Sequence, residues 1–163
     1  MHLLYPSDPF NKFVADDAYS EEFEAMRALG LPCWLFSFED FEAGDFKPRP
    51  PLDASEQVLY RGWMLTPDAY SQLHTAVASK GGSLKTNPTQ YRHCHYLPEW
   101  YDHCHDLTPE TVVLPRDSDF VSALADKHWP AYFVKDYVKS LTTARGSIAA
   151  TSQEVEEVVS LIE

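Results

Sequence analysis

Gln57–Asn87, QVLYRGWMLTPDAYSQLHTAVASKGGSLKTN, is the stretch whose reading decides the fold. Gln57–Leu65 reads as a strand, with Arg61-Gly62 inside it or near its end. Thr66-Pro67 then starts a helix, with Thr as N-cap and Pro at the first helical position. Tyr70, Leu73 and Val77 mark one face of that helix, and Gly81-Gly82 closes it. Ser83–Asn87 is extended again. Strand, helix and extended segment in succession form the repeating unit of an α/β sheet. The glycine pair reads as a helix stop rather than a phosphate loop, because neither GxGxxG nor GxxxxGK[ST] occurs in the chain.

The same alternation extends outward in both directions. On the N-terminal side, His2–Pro6 reads as a first strand. Asp16–Leu29 reads as a helix with Tyr19, Phe23, Met26 and Leu29 near helical spacing, stopped by Gly30 and Pro32. Cys33–Phe38 is a second strand, and Lys47–Pro51 (KPRPP) is a stiff extended connection. On the C-terminal side, Thr89–Asp106 is rich in aromatics and His and reads as helix in two pieces around Pro98. Thr111–Leu114 is a brief β-branched run. Ser118–Trp129 reads as a helix, and Tyr132–Lys139 (YFVKDYVK) as the clearest strand. Thr142–Ser147 is a polar loop. Thr151-x-x-Glu154 is a capping box, followed by Val155, Val158, Val159 and Ile162 on one helix face. The expected class is α/β, with a largely parallel sheet flanked by helices. Ligands in such sheets sit at the carboxyl ends of the strands, where Arg61 falls.

Composition limits the function. The chain has 163 residues and a net charge of −12, from 13 Lys and Arg against 25 Asp and Glu. That balance argues against a nucleic-acid binder and against an electrostatic anchor on anionic lipid. The longest uninterrupted apolar runs, Cys33–Phe36 and Ala131–Val134, are four residues each. A spanning helix needs roughly 20. The first ten residues carry no secretory signal pattern. Three cysteines, Cys33, Cys94 and Cys104, read as reduced thiols of a cytoplasmic protein.

The charge is uneven. Residues 1–60 hold 12 acids and 4 bases, whereas Lys127–Ser147 holds Lys127, Lys135, Lys139 and Arg145 against Asp136 alone. On a continuous strand, Lys135 and Lys139 would share a face with Phe133 and Tyr137, their Cα atoms about 13 Å apart. Tyr132, Val134 and Val138 would face the core. Two such lysines suit a polyanion carrying a flat base, and Arg145-Gly146-Ser147 lies in a loop able to fold over phosphates. The plain alternative is a solvated edge strand whose lysines discourage aggregation.

At these residues the chain resembles the ATP-grasp superfamily, in the clade named for one arginine and two lysines. The resemblance rests on Tyr60-Arg61-Gly62-Trp63-Met64-Leu65, Tyr91, Leu97-Pro98-x-Trp100-Tyr101, Thr108-Pro109, and Phe133-Val134-Lys135 with Lys139. It implies an enzyme that phosphorylates a carboxylate with ATP and passes the acyl phosphate to an amine or similar nucleophile. It implies a small Rossmann-like N-terminal domain over residues 1–110 and the first ATP-grasp lobe over 111–163. Lys135 would contact nucleotide phosphate and adenine, and Lys139 would be the second lysine. Arg145 and Ser147 would also bind the nucleotide. Arg61 would be the catalytic arginine, acting on phosphate or on an acceptor carboxylate. The family's Mg²⁺ is held by acidic and Asn side chains on strands beyond the phosphate loop. Glu154, Glu156 and Glu157 match no such pattern, so the sequence reads as the front half of such an enzyme. The expected partners are a nucleotide, a small carboxylate or peptide acceptor, and a second copy or another chain covering the missing lobe. The alternative is a non-catalytic half-module that binds nucleotide or protein.

Two remaining groups are read conservatively. His93-Cys94-His95 and His103-Cys104-His105 suggest zinc by composition. In a continuous helix the triplets would lie about 15 Å apart, a spacing that does not make one site unless Pro98 bends the segment. Metal analysis of chelator-free protein is expected to show well under one zinc per chain. The acid pairs Asp16-Asp17 and Glu21-Glu22 read as helix N-terminal acids favoured by the dipole.

Overall fold

The computed structural model describes residues 1–52, 56–138 and 146–161. The chain divides into two compact units, Met1–Arg92 and His93–Glu163.

The first unit is built on a four-stranded parallel sheet. Its elements are β1 (His2–Pro6), α1 (Ser20–Ala28), β2 (Cys33–Phe36), α2 (Phe38–Glu42), β3 (Gln57–Tyr60), α3 (Pro67–Ser79) and β4 (Ser83–Leu84). The strand order is β2-β1-β3-β4. Both faces are covered, as parallel sheets require. Leu3, Tyr5 and Leu35 point to the face packed by Phe23 of α1. Leu4, Phe36 and Val58 point to the other, with Phe41 of α2 and Leu73 and Val77 of α3. The α/β class read from Gln57–Asn87 is therefore the architecture observed.

Local chemistry sets the element ends. Thr66 caps α3 as expected, its hydroxyl accepting from the Ala69 N–H at 3.2 Å. Helix α1 starts at Ser20 rather than Asp16. Asp16 makes an Asx turn instead, its carboxylate accepting from the Ala18 N–H and its carbonyl from the Tyr19 N–H. β2 stops at Phe36 because Ser37 caps α2, accepting from the Asp40 N–H. β3 stops at Tyr60 rather than reaching Leu65, for a reason that belongs to the site below.

The second unit holds α4 (Pro88–His95, which begins in the first unit), α5 (Leu97–Cys104), α6 (Phe120–Ala123), β5 (Tyr132–Phe133), β6 (Ile148–Ala149) and α7 (Ser152–Ser160). β5 and β6 form an antiparallel pair. Its core is Phe120, Leu124, Ala149, Val155 and Val158, with Tyr132 and Val134 packed against it. The capping box is present in a shifted form, its return bond made to the residue before the N-cap. The Thr151 hydroxyl accepts from the Glu154 N–H at 3.2 Å, and the Glu154 carboxylate accepts from the Ala150 N–H at 3.0 Å.

Two expectations in this unit are corrected. The Ser118–Trp129 helix is only Phe120–Ala123. The chain turns after Leu124, so that the Lys127 ammonium and the Trp129 indole N–H both reach Glu110, at 2.7 and 3.0 Å. The Tyr132–Lys139 strand is only Tyr132–Phe133. Asp136 ends it by accepting from the Val138 N–H at 2.8 Å, a side-chain turn that competes with the ladder.

Candidate functional site

In the first unit, β1 lies between β2 and β3, so the connections leaving β1 and β3 diverge at their carboxyl ends. Such a divergence is where open α/β sheets place ligands. Arg61 stands there, one residue beyond β3, its N–H still bonded to the Leu4 carbonyl at 2.8 Å. Its guanidinium donates through Nε to Glu22 Oε1 and through Nη2 to Glu22 Oε2, both at 2.8 Å. The Tyr5 hydroxyl donates to the same carboxylate at 2.9 Å. Arg61's bonds hold the Glu22 carboxyl below its ordinary range, and the pair raises Arg61 in return. Burial, then the bond to Glu22, pushes Tyr5 up.

The turn carrying Arg61 explains why β3 is short. The Tyr60 ring folds back over the chain, and its hydroxyl donates to the Trp63 carbonyl at 2.9 Å. A Cβ on Gly62 would meet the Tyr60 hydroxyl oxygen at 2.4 Å, so glycine is what lets the ring close the turn. Trp63 then packs edge-on against Tyr19 and Phe38, with ring centroids 5.7 and 5.5 Å away. Beneath these loops, at the end of β1, Ser7 is 1% exposed, and its hydroxyl has no hydrogen-bond partner among the described residues. The loop after β1 is fixed by Asp8, which accepts from the Phe10 and Asn11 N–H groups, and it holds Phe10 and Phe13 out in solvent.

This arrangement sets what Arg61 can do. One edge of its fork, Nε with Nη2, is taken by Glu22, and the pair is neutral. The remaining outward N–H groups suit a singly charged carboxylate better than a polyphosphate.

In the second unit, Lys135 lies half-buried two residues past β5. The Val134 N–H donates to the Ser147 carbonyl at 2.8 Å, one main-chain bond beyond the β5–β6 pair. Gly146 has φ 80°, a conformation that a side chain would strain. Ser147 is buried. Lys139 and Arg145 lie outside the described residues. The local cationic excess is smaller than the sequence suggests, because Lys127 is paired with Glu110. The shared face proposed for Phe133, Lys135 and Tyr137 is lost with the strand, although Phe133 is exposed while Tyr132 and Val134 pack inward.

Comparison with known protein families, curated proteins and solved structures gives no match.

The sequence reading missed Glu22 and Tyr5 as partners of Arg61. Glu22 looked like an ordinary acid of a first helical turn, which it also is. Its pairing depends on where β3 ends beside α1, and no local pattern encodes that. The separation expected between the two His-Cys-His triplets is corrected. The chain breaks at Tyr96, and the His93 and His103 rings touch at a centroid distance of 4.9 Å. Among the described residues no group of three or more His, Cys, Asp or Glu side chains is arranged to hold a metal ion. That leaves no such ligand set for Mg²⁺ among the described residues.

Proposed function

We propose that the chain binds ATP as the leading part of an ATP-grasp protein of the arginine-and-two-lysines type. In its full form such a protein joins a carboxylate to an amine or related nucleophile through an acyl phosphate. The observation that carries the reading is the main-chain bond from Val134 to Ser147, the residues next to Lys135 and Gly146. Lys135 follows Val134 and Gly146 precedes Ser147, with Lys139 and Arg145 between them in sequence. A stretch of sequence with three cations against one acid suits a polyphosphate. The parallel α/β unit carrying the Tyr60–Trp63 turn is compatible with the domain that precedes the grasp in this family.

The test is thermal stabilisation by Mg-ATP. At a hundredfold excess over Kd, binding stabilises by about 2.7 kcal/mol, which for a chain of this size raises Tm by roughly 5–10 °C. Lys135→Ala is expected to lose at least half of that rise, and equal shifts in the two proteins would remove Lys135 from the site.

A second reading, a non-catalytic nucleotide- or protein-binding module, is favoured by the engagement of Arg61 with Glu22. An arginine held by its own chain through both donors of one edge suits a pin between β3 and α1 better than a group acting on a transferring phosphoryl. Glu22→Gln separates the two. Weaker nucleotide or acceptor binding would favour a functional Arg61, and unchanged binding with lowered stability would favour the pin.

A further inference from the structure

The geometry points to an exchangeable transition-metal site made by two side chains, His93 of α4 and His103 of α5. It is independent of the ATP reading. The two rings lie 4.9 Å apart between centroids, at 62° to each other. A metal–nitrogen distance near 2.0–2.1 Å puts each imidazole centroid about 3.2 Å from the ion. Two such rings then stand about 4.5 Å apart for ligands at a right angle and about 5.2 Å apart for a tetrahedral angle. The observed spacing falls between these values. The torsion that turns each ring is soft, so both nitrogens can be aimed at one point without moving the backbone.

The surroundings suit a ligand role. Neither imidazole makes a hydrogen bond or an ion pair among the described residues, whereas His105 contacts the Asp102 carbonyl and Asp106, and His2 contacts Glu56. His93 is half-buried and His103 exposed, so water can complete the coordination sphere. Ring nitrogens favour Cu²⁺, Ni²⁺ and Zn²⁺ over Mg²⁺ or Ca²⁺. Histidine ligands in tight sites donate their second N–H to an acceptor, and these two have none among the described residues. Two protein ligands without such support hold a metal reversibly. This agrees with the expectation of little metal in protein as purified. The ion would clamp α4 to α5 across the break at Tyr96. Both helices are eight residues long and have little cohesion of their own.

The test titrates the full chain with Ni²⁺, which unlike Cu²⁺ does not oxidise the thiols of Cys94 and Cys104. One Ni²⁺ per chain is expected, with a rise in Tm on addition of the metal. His93→Gln and His103→Gln should each weaken binding by about tenfold or more, since each removes one of two ligands. His95→Gln, His105→Gln and the Cys94→Ala/Cys104→Ala double variant should bind as the wild type does. Circular dichroism of each variant without metal checks that the helices persist. The proposal is overturned by wild-type affinity in either His93→Gln or His103→Gln, by equal loss in the control variants, or by no binding at millimolar Ni²⁺.

Discussion

The two units keep their order by different means. In the first, a parallel sheet is enclosed on both faces, and Leu4, Tyr5, Phe36, Val58, Leu73 and Val77 are all but sealed from water. In the second, one small cluster supports a pair of two-residue strands and short helices. Much of its definition comes from polar contacts near in sequence: the Asp119 cap on α6, the Thr151 box on α7, and the Tyr101 hydroxyl accepting from the Thr111 N–H. Side-chain volume fixes the first unit, and caps and turns define much of the second. The first should therefore respond most to cavities and the second to lost hydrogen bonds.

The largest effect should come from the sheet. Phe36→Ala empties the side of the sheet where Phe41, Phe46 and Tyr60 meet the Phe36 ring. It should cost about 3–5 kcal/mol in urea unfolding. Val158→Ala, the matching cavity in the second unit, removes less buried surface and should cost about 2 kcal/mol. Equal costs would break the contrast.

Next comes the turn that ends β3. Gly62→Ala forces a Cβ into the Tyr60 ring and undoes its bond to the Trp63 carbonyl. Displacing a packed ring costs about 1–3 kcal/mol, measurable by the same unfolding curve. Tyr60→Phe keeps the ring and loses only the hydroxyl, so it should cost less. If the two cost the same, the hydrogen bond rather than the close approach is what Gly62 serves.

Thr151→Ala probes the other kind of order. It removes the acceptor for the Glu154 N–H at the start of α7 and should cost about 1 kcal/mol. Thr151→Ser should restore most of that loss.

The same contrast explains what the sequence made legible. The α3 cap and face, β1, the two-piece helix around Pro98 and the box on α7 were all readable, because each is set by residues within one or two turns of one another. Most of the elements misjudged are cut short by a side chain bonding to the backbone, whereas α6 stops where the chain turns to bring Lys127 and Trp129 to Glu110. Asp16 delays α1, Ser37 ends β2, Asp136 ends β5, and Tyr60 with Gly62 ends β3. Each lies inside a run whose propensity favours continuation, and the interruption is invisible to periodicity. The site was legible as far as Arg61 and its place at a strand end. Glu22 and Tyr5 were not, since they meet Arg61 only once three elements are assembled. The contact of His93 with His103 was hidden for a related reason: it depends on the angle the chain takes at Tyr96.

The smallest effect is also the most specific to the site. The Glu22 carboxyl sits below its ordinary value because Arg61 and Tyr5 bond to its charged form. A group depressed in the folded state contributes stability above its unfolded value, about 4.3 for Glu, and loses it as pH falls through the folded value. Arg61 stays charged throughout that range. The Arg61 and Glu22 side chains are 47% and 31% exposed, so solvent screens the pair and its worth near neutral pH is about 0.5–1 kcal/mol. Glu22→Gln keeps an acceptor for Tyr5 but removes the charge. It should therefore trail the wild type by that margin at pH 7 and close the gap as pH drops below about 4. Denaturant curves at neutral and acidic pH measure the difference directly. A gap that stays constant with pH would mean that Glu22 holds Arg61 by shape rather than by charge. Arg61 would then pin the strand end to α1 whatever the ionisation of its partner, and the loss in Glu22→Gln would be one of packing.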